Sequence, residues 1–177
     1  GKIDQDKTIQ LVHKYFSKIR RPKRQLQELY TEEPIQDGER QVTIRREGDV
    51  KVVASMYRIP AGFDEMYPSV ALLTNILADP TSGRLHKTLV KNNLAANSSG
   101  FSFQWGEPGV AIFIAQLGVD KDIEPARAAM LETLENLAAE PITNEEVARA
   151  KAKMIKQFEL RFNSSQSIAL ELSEWIG

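Results

Sequence analysis

At 177 residues, with 42% hydrophobic and 27% charged, the chain can bury one sizeable core and has the composition of an ordinary globular domain. A formal net charge of -1 gives no overall field to draw nucleic acid or anionic lipid. With no cysteine, disulfides, thiolate zinc sites, iron–sulfur clusters and a cysteine nucleophile are excluded.

The first helix is predicted over about Asp6 to Ile19, capped by Asp4 or Asp6, with Ile9, Val12, Phe16 and Ile19 at helical spacing. Pro22 stops it, and the basic run Lys18 to Arg24 suits the negative end of a helix dipole. Gln25 to Glu39 has no period and contains Pro34 and Gly38, so it reads as an extended surface connection. Gln41–Arg46 and Val50–Ile59 alternate and are expected to pair as a hairpin through Glu47-Gly48-Asp49. In the second of these, Val52, Ala54 and Met56 share one face, and Val53, Ser55 and Tyr57 the other.

A helix is expected from Asp64 to about Ala78, with Pro68 tolerated in its first turn. Asp79-Pro80 breaks it, and Thr81 or Ser82 restarts a helix through Leu85, Leu89 and Val90 that ends at Asn92-Asn93. Two strands follow around a tight turn at Gly106-Glu107-Pro108-Gly109. Phe101, Phe103 and Trp105 alternate in the first. In the second, Val110, Ile112, Ile114 and Gln116 oppose Ala111, Phe113, Ala115 and Leu117. Asp120 or Asp122 caps a helix from Ile123 to about Ala139. Thr143 and Glu146 form a capping box for another, Asn144 to about Phe162, and Ser167 to Trp175 resumes the period. The expected order is α-ββ-αα-ββ-ααα, an α+β fold with an antiparallel sheet and helices packed on one face.

Residues that could carry chemistry are few. His13 and His86 are the only histidines, and neither has a second ligand at metal-binding spacing, so both read as ordinary surface or partly buried residues. No G-x-S-x-G elbow supports a Ser-His-Asp site. The pairs Glu32-Glu33, Asp120 with Asp122, Glu145-Glu146 and Glu171 with Glu174 lie near helix ends or on polar helix faces, where capping explains them. Lys18 to Arg24 reads as a solvated helix end, since no stacking platform follows it. Ser98, Ser99, Gly100, Gly106 and Gly109 border strands and do not lead into a helix, as a phosphate-binding loop would. Phe101, Phe103 and Trp105 read as a half-buried strand face. No catalytic, metal or substrate-binding residue is assigned on this evidence.

Six segments stand in an order that resembles the second, C-terminal domain of a pitrilysin/insulinase-family zinc metallopeptidase half. They are Gly1-Lys2-Ile3-Asp4; Tyr15-Phe16-Ser17-Lys18-Ile19; Glu33-Pro34-Ile35-Gln36-Asp37-Gly38-Glu39-Arg40; Ala71-Leu72-Leu73 with Asn75-Ile76-Leu77; Ser82-Gly83-Arg84-Leu85 with Leu89-Val90-Lys91; and Ile142 to Lys151. The resemblance implies a mitochondrial-processing-peptidase-like metallohydrolase fold, with four similar domains in two halves that close around a chamber. Zinc would lie in the parent protein, on an inverted H-x-x-E-H motif in a domain absent from this chain, for metal-assisted hydrolysis of peptide bonds. The implied partners are a peptide or unfolded polypeptide substrate, the preceding zinc-bearing domain and a second homologous half, with no nucleic acid and no membrane span.

Family members that lack zinc carry a substrate-holding Arg and Tyr in a pattern like L-R-x-K-x-G-L-x-Y. Val90 and Asn97 stand at those positions here, which places this domain in a zinc-bearing half. The resemblance thus implies a non-catalytic, chamber-wall domain, inactive when isolated. An alternative is a scaffold or assembly subunit without peptidase activity, and another is an independent ligand-binding domain with a pocket centred on His86. All 177 residues are expected to form one domain of a longer chain. Gly1-Lys2-Ile3-Asp4 resembles a strand end entering a helix, and Trp175-Ile176-Gly177 stops straight after an apolar helical pattern. Any signal peptide would then precede it, leaving periplasm and cytoplasm both open.

Overall fold

The computed structural model describes residues 3–24 and 35–176. In chain order the elements are α1 (Gln5–Phe16), β1 (Val50–Ile59), α2 (Tyr67–Ala78), a π-helical segment (His86–Val90), β2 (Asn97–Ser102), β3 (Gly109–Gly118), α3 (Ile123–Glu135), α4 (Asn144–Arg161) and α5 (Ser165–Ile176). They fall into two compact units, one made of Gly1–Arg45 with Asn163–Gly177 and the other of Arg46–Phe162.

The first unit contains α1 and α5. The Asp4 side chain accepts from the Lys7 amide at 3.0 Å, so Asp4 and not Asp6 is the cap. No residue of α1 is buried, and its apolar seam of Ile9, Val12 and Phe16 is open to solvent. The predicted strand over Gln41–Arg46 is absent, as is the hairpin turn after it. Val42 is 82% exposed and Ile44 73%, so their alternation buries nothing. A strand exists only where a neighbour takes its amides and carbonyls, and β1 pairs with β3 alone among the described residues. Most of the connection predicted over Gln25 to Glu39 lies outside the described residues.

In the second unit the three strands lie in the order β1-β3-β2, both pairs antiparallel. The central strand aligns Ala115 with Val53 on one side and Ser98 on the other. Because side chains alternate across a strand, Ala111, Phe113, Ala115 and Leu117 all point to one face, and all are buried. That face meets Leu77, Leu85, Leu89, Ala126 and Met130 in a single core. Phe113 packs edge-on against Tyr57 at 6.1 Å, and Tyr57 Oη donates to Glu135 Oε1 of α3 at 3.0 Å. The architecture is therefore the expected α+β layer, an antiparallel sheet covered by helices on one side. The other face carries Val52, Met56, Ile112, Ile114 and Phe101, exposed or half-buried.

β2 starts earlier than predicted and is over by Phe103, although the Phe103 amide still donates to the Val110 carbonyl at 3.1 Å. The early start needs Gly100. A Cβ there would stand 2.7 Å from Ala78 Cβ and 2.7 Å from the Phe113 ring, so only glycine lets β2 run this close beneath α2. The segment after α2 is a wide π-turn rather than the predicted α-helix. Thr88 Oγ1 donates to the Arg84 carbonyl at 3.0 Å, where an α-helix places a backbone amide, and the ladder shifts to Lys91 N on His86 O. Asn93 ends it at φ 57°, a left-handed stop that asparagine tolerates.

Candidate functional site

The densest polar constellation lies where the end of α2, the π-segment and the start of α4 meet. α2 stops at Asp79 because Pro80 follows. Asp79 Oδ1 then accepts from Thr81 N at 2.9 Å, Thr81 Oγ1 at 2.8 Å, Ser82 N at 2.8 Å and Ser82 Oγ at 3.1 Å. The group that organises the restart is Asp79, not Thr81 or Ser82, which serve it as donors. Its other oxygen takes Lys153 of α4. Burial raises the proton affinity of Asp79, but the Lys153 ammonium, the Thr81 and Ser82 amides and the Thr81 hydroxyl outweigh it and hold the carboxyl well below the usual range.

One turn on, Arg84 reaches α4. Its Nε donates to Glu146 Oε1 at 2.9 Å and its Nη2 to Glu146 Oε2 at 2.8 Å, a bidentate pair with side chains only 14% and 11% exposed. The remaining donors cap backbone, Nη1 on Glu140 O at 2.5 Å and Nη2 on Pro141 O at 2.8 Å. Glu146 also closes the predicted capping box. Its Oε2 accepts from Thr143 N at 2.9 Å, and Thr143 Oγ1 accepts from Glu146 N at 3.2 Å. The Arg84 guanidinium is the main reason the Glu146 carboxyl titrates at about 2 despite burial, with Thr143 adding to it; the same pairing raises Arg84.

Beside this clamp opens a cleft of about 450 Å³ lined by Arg84, Lys87, Thr88, Thr133, Glu140, Thr143, Glu145, Glu146 and Arg149. Its polar groups already serve the fold. Thr133 Oγ1 donates to Ala129 O at 2.8 Å and meets Thr88 Oγ1 at 3.1 Å, while Arg149 pairs with Glu145 at 3.9 Å. A carboxylate that titrates at about 2 and already accepts four bonds is too weak a base for proton abstraction near neutrality. The arrangement locks helices together.

The residues singled out from the sequence are scattered. His13 is exposed on α1 and His86 opens the π-segment. Asp122 caps α3, accepting from Glu124 N at 3.3 Å. Glu32 and Glu33 lie outside the described residues, and Lys18 to Arg24 is exposed throughout. Ser98 is buried, whereas Ser99 is exposed. Phe103 stacks on Trp105 at 4.8 Å and meets Phe101 edge-on at 5.2 Å. Val90 lies in the π-segment, and Asn97 is exposed at the head of β2, its Nδ2 donating to Gln116 Oε1 at 2.9 Å. Among the described residues no group of three or more His, Cys, Asp or Glu is placed to hold a metal ion. No described helix is long and apolar enough to cross a membrane. Asp79 and Arg84 are organising groups that no sequence motif marks as such. Asp-Pro-Thr-Ser was a legible turn signal for the first, but the partner of Arg84 lies 62 residues away.

The family described as the peptidase M16 inactive domain matches residues 1–154. Among solved structures, the chain is similar to the inactive peptidase domain of a candidate zinc protease from Bordetella parapertussis, at 36% identity and TM-score 0.69 over 76% of this chain and 74% of that one. It is similar to a candidate zinc protease from Bordetella pertussis Tohama I at 34% identity and TM-score 0.65, over 72% and 70%. A protease from Helicobacter pylori shares the fold at 24% identity and TM-score 0.84, over 98% of this chain but 43% of its own. No curated protein matches. With the match spanning most of its length, the chain belongs to the M16 peptidase family, as an inactive domain.

Proposed function

We propose that the 177 residues form the second domain of one half of a zinc-dependent metalloendopeptidase, and that this domain supports the zinc-bearing domain and walls the chamber in which peptide bonds are hydrolysed. The family match over residues 1–154 carries this reading. Two similar proteins named as candidate zinc proteases, one of them as an inactive peptidase domain, support it. The zinc would lie on a domain this chain does not contain. The residues here do not fit a zinc centre, since His13 and His86 sit on separate elements and, among the described residues, no third ligand gathers around either. No hydrolytic step is therefore routed through this chain. Its contribution is rigidity, supplied by the sheet core and by the Arg84–Glu146 and Asp79–Lys153 ties between α2, the π-segment and α4. Substrate would be peptide or unfolded polypeptide, and the partners the preceding domain and a homologous half.

The test has two arms. Metal analysis and a fluorogenic peptide assay on the 177-residue chain should find no stoichiometric zinc and no turnover. Zinc-dependent cleavage that survives purification overturns the reading. The reading frame around this sequence should encode H-x-x-E-H upstream, and its absence there removes the peptidase half of the proposal.

A further inference from the structure

The end of the sheet where β2 turns into β3 carries aromatic rings that the core does not use. Phe103 stacks on Trp105 at 4.8 Å and meets Phe101 edge-on at 5.2 Å. Phe63, in the loop after β1, lies beside Gly106, its Cε2 3.5 Å from where a Cβ on that glycine would stand. Backbone ties the two loops together, since the Gly62 amide donates to the Trp105 carbonyl at 2.7 Å. The rings are held in place, yet Phe63 is 87% exposed, Trp105 50% and Phe101 42%. Large rings already ordered in water make good binding anchors, because covering them gains apolar burial at little further cost in entropy.

Charge selects what covers them. Asp64 and Glu65 follow Phe63 directly, and Glu107 sits in the turn after Trp105; all three are exposed. One oxygen of Asp64 accepts from the Met66 amide at 2.8 Å, while Glu65 and Glu107 have no ion-pair partner among the described residues. No lysine or arginine occurs from Ile59 to Gly83 or from Asn92 to Asp120. The strand beside the turn adds one cation at this end, Arg58, opposite Val110. Three carboxylates thus stand around the rings against one guanidinium.

An anionic partner is repelled here, and an apolar one strips water from carboxylates and gives nothing back. A cation gains twice, from the ring faces and from the carboxylates. Arginine fits better than lysine, because a planar guanidinium stacks on an indole while its edge still forks to a carboxylate. We propose that this end of the sheet is a docking surface for an arginine-bearing segment of a partner polypeptide, with the guanidinium over Trp105 and its edge turned to Glu65 and Glu107. The inference is independent of the peptidase reading, and neither zinc nor turnover enters its test.

The chain has two tryptophans, so Trp175→Phe leaves Trp105 as the sole indole. The peptide acetyl-Ala-Arg-Ala-Arg-Ala-amide, titrated into that protein, should change Trp105 emission with half-saturation at about 1 mM. The lysine counterpart should need about threefold more peptide. The citrulline counterpart, which keeps the plane and loses the charge, should need about tenfold more. Glu65→Gln with Glu107→Gln should weaken the arginine peptide about tenfold, and roughly 0.5 M NaCl should act in the same direction. Phe63→Ala should weaken it about threefold, with unchanged circular dichroism because the ring is exposed. Equal binding of the citrulline peptide overturns the inference, as does a double glutamine variant that binds like its parent. A larger emission change with phosphatidylcholine vesicles than with the arginine peptide also overturns it and assigns the rings to lipid. A sedimenting dimer that Trp105→Ala dissolves overturns it in favour of a second copy.

Discussion

Replacing Arg84 by Met keeps most of its volume and removes its charge and all of its donors. Glu146 would keep only the Thr143 amide and hydroxyl among its partners, in a site where its side chain is 11% exposed. Breaking a buried pair in this way costs about 3–5 kcal/mol, because a charge is left without its counter-charge. The depression of the Glu146 carboxyl, caused first by Arg84, points to a similar size. The Glu146 carboxyl falls from an ordinary 4.5 to about 2. At 1.36 kcal/mol per unit that is about 3 kcal/mol of stability near neutrality. A carboxyl depressed in the folded state contributes fully above the unfolded pKa and loses its contribution as pH falls through the folded one. The cost of Arg84→Met should therefore be about 3 kcal/mol at pH 7, a fall of roughly 10 °C in Tm, and shrink to less than half of that at pH 3. Urea unfolding of both proteins at pH 7 and pH 3, followed by circular dichroism, measures the difference. Glu146→Gln and the double substitution complete a cycle, whose coupling energy should be about 2–3 kcal/mol. A coupling below about 0.5 kcal/mol, or a penalty unchanged between the two pH values, would refute the assignment of Arg84 as the group that holds Glu146 ionised.

Three further substitutions test the packing. Ser98 Oγ is buried without a hydrogen-bond partner, so Ser98→Ala should be neutral or stabilising by up to about 1 kcal/mol in urea unfolding. A loss above that size would show that the hydroxyl is satisfied. Gly100→Ala should cost about 1–3 kcal/mol, since the added carbon meets Ala78 Cβ and the Phe113 ring at 2.7 Å and the Ile112 carbonyl at 3.0 Å. A neutral result in thermal unfolding would mean that β2 slides away from α2. Leu89 is wholly buried in the π-segment, and Leu89→Ala should cost about 3–5 kcal/mol with a fall in Tm. An effect under about 1 kcal/mol would show that the π-segment packs loosely on the sheet.

Local physics was legible in the chain itself. The alternation of Ala111, Phe113, Ala115 and Leu117 against Val110, Ile112 and Ile114 separated the two faces of β3, and the fold buries the first of them. Thr143 and Glu146 lie three residues apart, so their mutual capping needs nothing from elsewhere. Asp-Pro ended α2 by sterics alone. These features depend on neighbours within one turn or one strand, and their residues carry the whole signal.

What failed depended on distant partners. Gln41–Arg46 has the alternation of a strand, but a strand also needs another to pair with, and none is present beside it among the described residues. Arg84 looked like any helical arginine until the fold brought it to Glu140, Pro141 and Glu146. The sheet order β1-β3-β2, the π-turn at His86–Val90 and the close passage of Gly100 under α2 likewise arise only when separate elements meet. The sequence by itself determined the periodicities, the caps and the breaks, because those energies are local. Tertiary structure alone decided which strands pair, which face stays bare and which charges are clamped, because each needs two groups far apart in the chain to share one place from which water is excluded.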